Sequence, residues 1–174
     1  GATAAIGLVT ARELARMGAS VVLVGRDSAR CKSVVASIVR DTGNANVSCL
    51  VADLSSQAEV RRLAAEFLSA HKRLDVLVNN AGALFALRRE SADGIEMTMA
   101  LNHLAPFLLT TLLLDALKAA APARIVNVAS EAHEDVTGFD FDDPQATRGY
   151  PRSEWGSAFY SLAMPWAHPA FRHY

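Results

Sequence analysis

Apolar positions follow two rhythms that alternate along the chain. From Ile6 to Met17 they recur at helical spacing (Ile6, Val9, Leu14, Met17), and Gly18 supplies a helix stop. Residues 20–24 then carry the run Val-Val-Leu-Val, as expected of a short strand covered on both faces. Asp27 and Ser28 can cap a second helix with Val34, Val35, Ile38 and Val39 on its apolar face, ending before Gly43. Residues 47–51 read as a strand, and Ser55 or Ser56 opens a third helix carrying Val60, Leu63, Ala64, Phe67 and Leu68. A strand over 74–78, helical patterns over about 93–99 and 105–119, and a strand over 124–128 complete the series. This alternation predicts an α/β fold: a doubly wound parallel sheet with helices on both faces. After Ser130 the pattern dissolves, and 131–174 reads as a polar, aromatic, proline-containing stretch with at most a short helix. So long an irregular segment is usually functional or partly disordered.

Composition narrows the classes. The chain is 51% hydrophobic with net charge −1, which excludes a disordered chain and gives no global reason to expect nucleic acid or an anionic membrane as partner. The most apolar stretch, 101–114, is interrupted by Asn102, His103 and Pro106 and reads as a buried helix, too short and polar to span a bilayer. No secretory pattern opens the chain, so a cytoplasmic location is expected, with a targeting or anchoring segment ahead of Gly1 left open. Cys31 and Cys49 are read as small buried hydrophobes in a reducing compartment. No metal site is expected: the spacing of His133, Glu134, Asp135, Asp140, Asp142 and Asp143 fits neither zinc nor calcium and suggests a solvated acidic loop.

Candidate chemistry lies at the strand ends. Gly-Ala-Thr-Ala-Ala-Ile-Gly (1–7) leads into the first helix, where small residues and free N–H groups suit a pyrophosphate. Arg26 follows the first strand, where a dinucleotide fold reads the adenosine ribose. Arg there favours a 2′-phosphate, hence NADP, while Asp27 leaves NAD open. Asp53 stands just past the second strand and Asn79-Asn80-Ala81-Gly82 just past the third, at the carboxyl ends where open parallel sheets bind ligands.

The set G-A-T-A-A-I-G, V-A-D-L, N-N-A-G, L-N-H-L and R-I-V-N-V-A-S, in this order, resembles the short-chain dehydrogenase/reductase family over residues 1 to about 148. Gly-Arg-Asp at 25–27, N-H-L-A-P-F-L-L-T and V-A-S-E-A-H resemble its retinol-dehydrogenase-like, NADP-preferring branch. The resemblance implies a Rossmann-like domain. Gly1, Thr3, Ile6 and Gly7 would line the pyrophosphate turn, with Ala5 where the family usually has glycine. Asp53 and Leu54 would flank the adenine, and Asn80, Ala81 and Gly82 would pass beneath the ribose. Asn102 would be the catalytic Asn that holds a helix kink and a water of the proton relay. Ser130 would hold the substrate oxygen.

The family also needs the Tyr and Lys of Y-x-x-x-K, and no Lys follows Lys118. Tyr174, after Phe171-Arg172-His173, is favoured as the general acid/base over Tyr160, which has Met164 in the place of the Lys; Tyr150 is third. An insertion near 151–170 follows from that choice. The resemblance further implies a chain truncated at both ends, with the family's first strand and C-terminal elements absent, and inactive and poorly packed alone. Residues 1–130 would be the cofactor-binding core of a partial domain, and 131–174 its active-site and substrate region.

Function is then expected to be hydride transfer between NADP(H) and a small-molecule alcohol or carbonyl substrate. The aromatic residues of 155–171 agree with a pocket for a lipophilic one, and equally with core or with surface left bare by truncation. The alternatives are a non-catalytic nucleotide-binding regulator or scaffold, favoured by the missing Lys, and an interaction module that has lost the cofactor. The oligomeric state, a homo-oligomer included, is left open.

Overall fold

The computed structural model describes residues 1–129 and 140–150. Two compact units divide the chain, Gly1–Asp53 and Leu54–Tyr174.

In the first unit the order is α1 (Ala5–Arg16), β1 (Val21–Gly25), α2 (Ser28–Thr42) and β2 (Val47–Val51). The strands pair in parallel, Val21 opposite Val47 and Gly25 opposite Val51. The Asp27 side chain caps α2 by accepting from the Arg30 N–H (2.8 Å), and Gly43 ends it at φ +72°, as the sequence predicts. The core joins Leu23 and Val47 of the sheet to Val34 and Ile38 of α2 and to Ala11 and Ala15 of α1. Burying Leu23 and Ile38, at most 1% exposed, contributes about 1.5–3 kcal/mol each. The inward face of α1 differs from the expectation. Ile6, Val9 and Met17 are exposed, and the buried face is Gly7, Ala11 and Ala15. These small side chains let α1 lie close to its neighbours, which periodicity of large apolar residues cannot reveal. The cysteine reading is also corrected. Cys31 is buried, yet the structure joins it to Cys49 in a disulfide, Cα–Cα 5.8 Å, tying α2 to β2.

The second unit contains α3 (Gln57–Ala70), β3 (Val76–Asn79), a π-helical turn (Met99–Leu104), α4 (Ala105–Leu112), α5 (Leu114–Ala119) and β4 (Arg124–Asn127). β3 and β4 are parallel, with Asn79 opposite Asn127. The Ser56 hydroxyl caps α3, and Val60, Leu63, Ala64 and Phe67 form its buried face as expected. The helix expected over 93–99 is formed only from Met97 onward. Residues 90–96 instead turn at Gly94 (φ +70°) and close an antiparallel bridge between Glu90 and Glu96. Helical structure starts at Met97, and its winding widens from Met99 to Leu104. Pro106 has no N–H to place on the Asn102 carbonyl, and Ala105 donates to Ala100, five residues back. The helix expected over 105–119 divides at Leu113 into α4 and α5. Strand side chains expected to be covered on both faces are partly open: Val51 in the first unit, and Val76, Val126 and Val128 in the second, are 36–44% exposed. Each sheet has only two strands among the described residues.

Among the described residues, no helix is long and apolar enough to cross a membrane, and no group of His, Cys, Asp and Glu could hold a metal ion.

Candidate active site

The turn before α1 has the features of an anion cradle. The N-cap residue Ala4 makes no side-chain hydrogen bond, whereas Asp27 and Ser56 cap α2 and α3. The first N–H groups of α1 thus have no side-chain acceptor at the cap, and a helix N-terminus of this kind attracts negative charge. Ala5 sits at φ +44°, a left-handed conformation that favours glycine. This explains why the resembling family places glycine there. Replacing Ala5 by Gly is expected to stabilise the unit slightly, by about 0.5–1 kcal/mol, because relief of the left-handed strain exceeds the added chain entropy. A urea titration of the two forms checks it, and a destabilised Gly variant would contradict it.

Across this turn lies Gly25, where β1 ends. A Cβ there would come within 2.8 Å of Thr3 Cγ2 and 2.9 Å of Cys31 Sγ, so only glycine lets the two turns approach. Arg30 Nε donates to the Thr3 carbonyl (3.1 Å), while Arg26 is exposed beside them. Gly1, Thr3, Ile6, Gly7 and Arg26 therefore share one end of the first unit's sheet, with Asp53, exposed, just past β2.

In the second unit Asn102 lies within the π-turn. Its Oδ1 accepts from the Ala83 N–H (3.0 Å) and its Nδ2 donates to the Ala83 carbonyl (2.9 Å), a two-bond clamp on the chain that follows Asn80, Ala81 and Gly82. A Cβ on Gly82 would stand 3.4 Å from Asn102 Oδ1, so this glycine lies directly against the Asn102 amide. Beneath it, Asn79 Nδ2 donates to Asn127 Oδ1 (2.8 Å) and to Thr110 Oγ1 (3.2 Å), fixing the ends of β3 and β4. His103, next to Asn102, is half-buried, and desolvation lowers its pKa, which favours the neutral imidazole.

The segment 140–150 packs against this unit. The Tyr150 hydroxyl donates to the Phe85 carbonyl (2.9 Å) and lies 3.3 Å from Thr98 Oγ1. That phenol fastens a loop. Asp143, expected in a solvated acidic loop, is only 8% exposed and accepts from the N–H groups of Arg148 and Thr147 (2.8 and 2.9 Å) and from the Thr147 hydroxyl. The backbone bonds from Arg148 and Thr147 lower its pKa from 3.8 to about 2. A depressed carboxylate stabilises fully above its ordinary pKa and loses that contribution as pH falls through the lowered one. The Thr147 and Arg148 amides are thus expected to stay protected at pH 4 and to lose protection toward pH 2, read by NMR. Loss complete at pH 4 would contradict this.

A family model described as short chain dehydrogenase matches residues 1–139. The chain belongs to the short-chain dehydrogenase family. Human retinol dehydrogenase 13 is 44% identical over 144 residues, covering 82% of this chain and 43% of that protein. Bovine retinol dehydrogenase 12 is 41% identical over 168 residues, covering 97% and 50%. This short-chain dehydrogenase is therefore retinol-dehydrogenase-like, and it spans about half the length of the curated relatives it matches. Among solved structures, Pseudomonas aeruginosa RhlG in its NADP active-site complex superposes with TM-score 0.69 at 32% identity, covering 91% of this chain and 60% of that one. The likeness supports the expected α/β Rossmann-like fold.

Within the short-chain dehydrogenase chain, Ser130, Tyr160 and Tyr174 lie outside the described residues, as do His133, Glu134, Asp135 and the aromatic positions of 155–171. Sequence reasoning missed Glu96, Thr98, Asn127 and the fastening role of Tyr150. Asn127 had a readable signal, a second Asn at the end of a strand that pairs with β3. Glu96 had none, because it reads as a charged residue inside a helical pattern.

Proposed function

We propose that the protein carrying this chain is an NADP(H)-dependent oxidoreductase that transfers hydride to or from a lipophilic alcohol or carbonyl compound. The observation that carries the reading is Arg26, exposed at the end of β1 beside the uncapped start of α1. Within the first unit, the residues fit a phosphorylated dinucleotide: the α1 N-terminus would receive the pyrophosphate, Gly25 keeps the approach open, and Arg26 would bind the 2′-phosphate. Asp53 and Leu54 would flank the adenine, and Asn80, Ala81 and Gly82 would support the ribose. The cofactor supplies the hydride when bound. Ser130 would orient the substrate oxygen, Tyr174 would give or take its proton, and Asn102 would sustain the proton relay. On this reading residues 1–130 form the cofactor-binding part and 131–174 the active-site and substrate region.

Support comes from relatives named retinol dehydrogenases and from a structural neighbour solved with NADP. A nucleotide-binding regulator is the second reading, favoured if Tyr160 is the family Tyr, because Met164 then stands in the place of its Lys. For the natural full-length protein, fluorescence titration is expected to show tighter binding of NADPH than of NADH. Arg26→Ala should weaken NADPH by about 1.5–3 kcal/mol, the value of a charge-assisted phosphate bond, and leave NADH unchanged. Equal affinities, or an Arg26→Ala variant that binds NADPH normally, would contradict the cofactor assignment.

A further inference from the structure

We propose that Glu96 is a positioning residue whose buried carboxylate sets the start of the π-turn and thereby holds Asn102 on the backbone of Ala83. Its catalytic meaning rests on the oxidoreductase reading, in which Asn102 serves the relay.

Glu96 is fully buried, at 0% exposure. A carboxylate is kept in such a place only where hydrogen bonds offset its desolvation. Here the two oxygens are divided between neighbouring donors. Oε1 accepts from the Thr98 N–H (2.9 Å) and Oε2 from the Met99 N–H (2.8 Å). These N–H groups enter the helical turn, where the backbone has no preceding turn to donate to. Negative charge at that end also suits the helix dipole.

Glu96 is itself held in place. Its N–H donates to Gln145 Oε1 (2.7 Å), and the Gln145 carbonyl accepts from Arg88 Nε (2.9 Å). Tyr150 reaches the Thr98 hydroxyl from the same 140–150 segment and anchors to Phe85. Thr98 is thus fixed at its backbone by Glu96 and at its side chain by Tyr150. Asn102 lies one turn further on and makes both bonds to Ala83, beside Gly82. Two bonds to one peptide neighbourhood tolerate little displacement, since hydrogen bonds weaken steeply with misalignment. Movement of the turn start is therefore transmitted to Asn102 and to the loop carrying Asn80, Ala81 and Gly82.

The test uses the natural full-length protein. Glu96→Gln keeps the shape but offers one acceptor oxygen to two N–H groups. Its amide exchange at Ala83 and Met99 is expected to accelerate about tenfold or more, with Leu77 in β3 unchanged. Turnover should fall about tenfold or more while NADPH affinity stays within about threefold. Tyr150→Phe, a smaller deletion, should accelerate Ala83 exchange by about threefold and decides the matter if Glu96→Gln does not fold. Unchanged Ala83 exchange, uniform acceleration that includes Leu77, or normal turnover with a loosened Ala83 would overturn the proposal. A wild-type protein that binds NADPH but transfers no hydride overturns the proposed function instead, and Ala83 exchange still decides whether Glu96 holds the clamp.

Discussion

Replacing Tyr174 by Phe in the natural full-length protein is expected to reduce turnover by about 10²–10⁴-fold, the usual contribution of a positioned general acid/base, with NADPH affinity unchanged. Only the phenolic hydroxyl is removed, so the cofactor-binding residues proposed in the first unit are untouched. Tyr160→Phe should change little. Single-turnover oxidation of NADPH, followed by absorbance for each variant, separates the two. The reverse pattern would make Tyr160 the family Tyr with Met164 in the place of its Lys, and would favour the regulator reading. Tyr150 is a weaker candidate than either, because its hydroxyl already donates to the Phe85 carbonyl.

Asn102→Ala is the second substitution with a large expected effect. It removes both bonds to Ala83 and leaves that residue's N–H and carbonyl without those partners. Leaving part-buried backbone groups unsatisfied costs about 1–3 kcal/mol, to be read as a lowered urea midpoint. Under the proposed relay role of Asn102, turnover should fall more than stability explains. Asn102→Asp is informative beside it. The carboxylate can still accept from the Ala83 N–H but now faces the Ala83 carbonyl with a second acceptor, so one bond is kept and the other becomes repulsive. An Asn102→Ala protein with wild-type stability and turnover would show that the clamp serves neither fold nor reaction.

Much of this architecture was legible in the chain because its signals are local. Asp27, Gly43 and Ser56 sit at the helix ends they mark, and the β-branched run at 21–24 and the strand pattern at 47–51 form the paired strands. What escaped was set by partners distant in sequence. The buried face of α1 is made of Gly7, Ala11 and Ala15, whose small size matters only once a neighbour is present. The end of the 93–99 helical pattern comes from Gly94 and from the Glu96 carboxylate, which meets Thr98 and Met99 only after the chain has turned. Asn102 stood out in the sequence as part of the L-N-H-L motif, but its hold on Ala83 depends on a contact across 19 residues. The disulfide between Cys31 and Cys49 was not read because their separation of 18 residues hides a parallel register that brings α2 over β2.

The most direct test is deuteride transfer. The natural full-length protein is incubated with NADPH carrying deuterium at the nicotinamide C4 and with a series of lipophilic aldehydes and ketones, and the alcohol products are examined by mass spectrometry. The account predicts deuterium on the former carbonyl carbon, with far less product when NADH replaces NADPH. NADPH bound tightly with no deuterium in any product would contradict it and leave a nucleotide-binding protein without turnover.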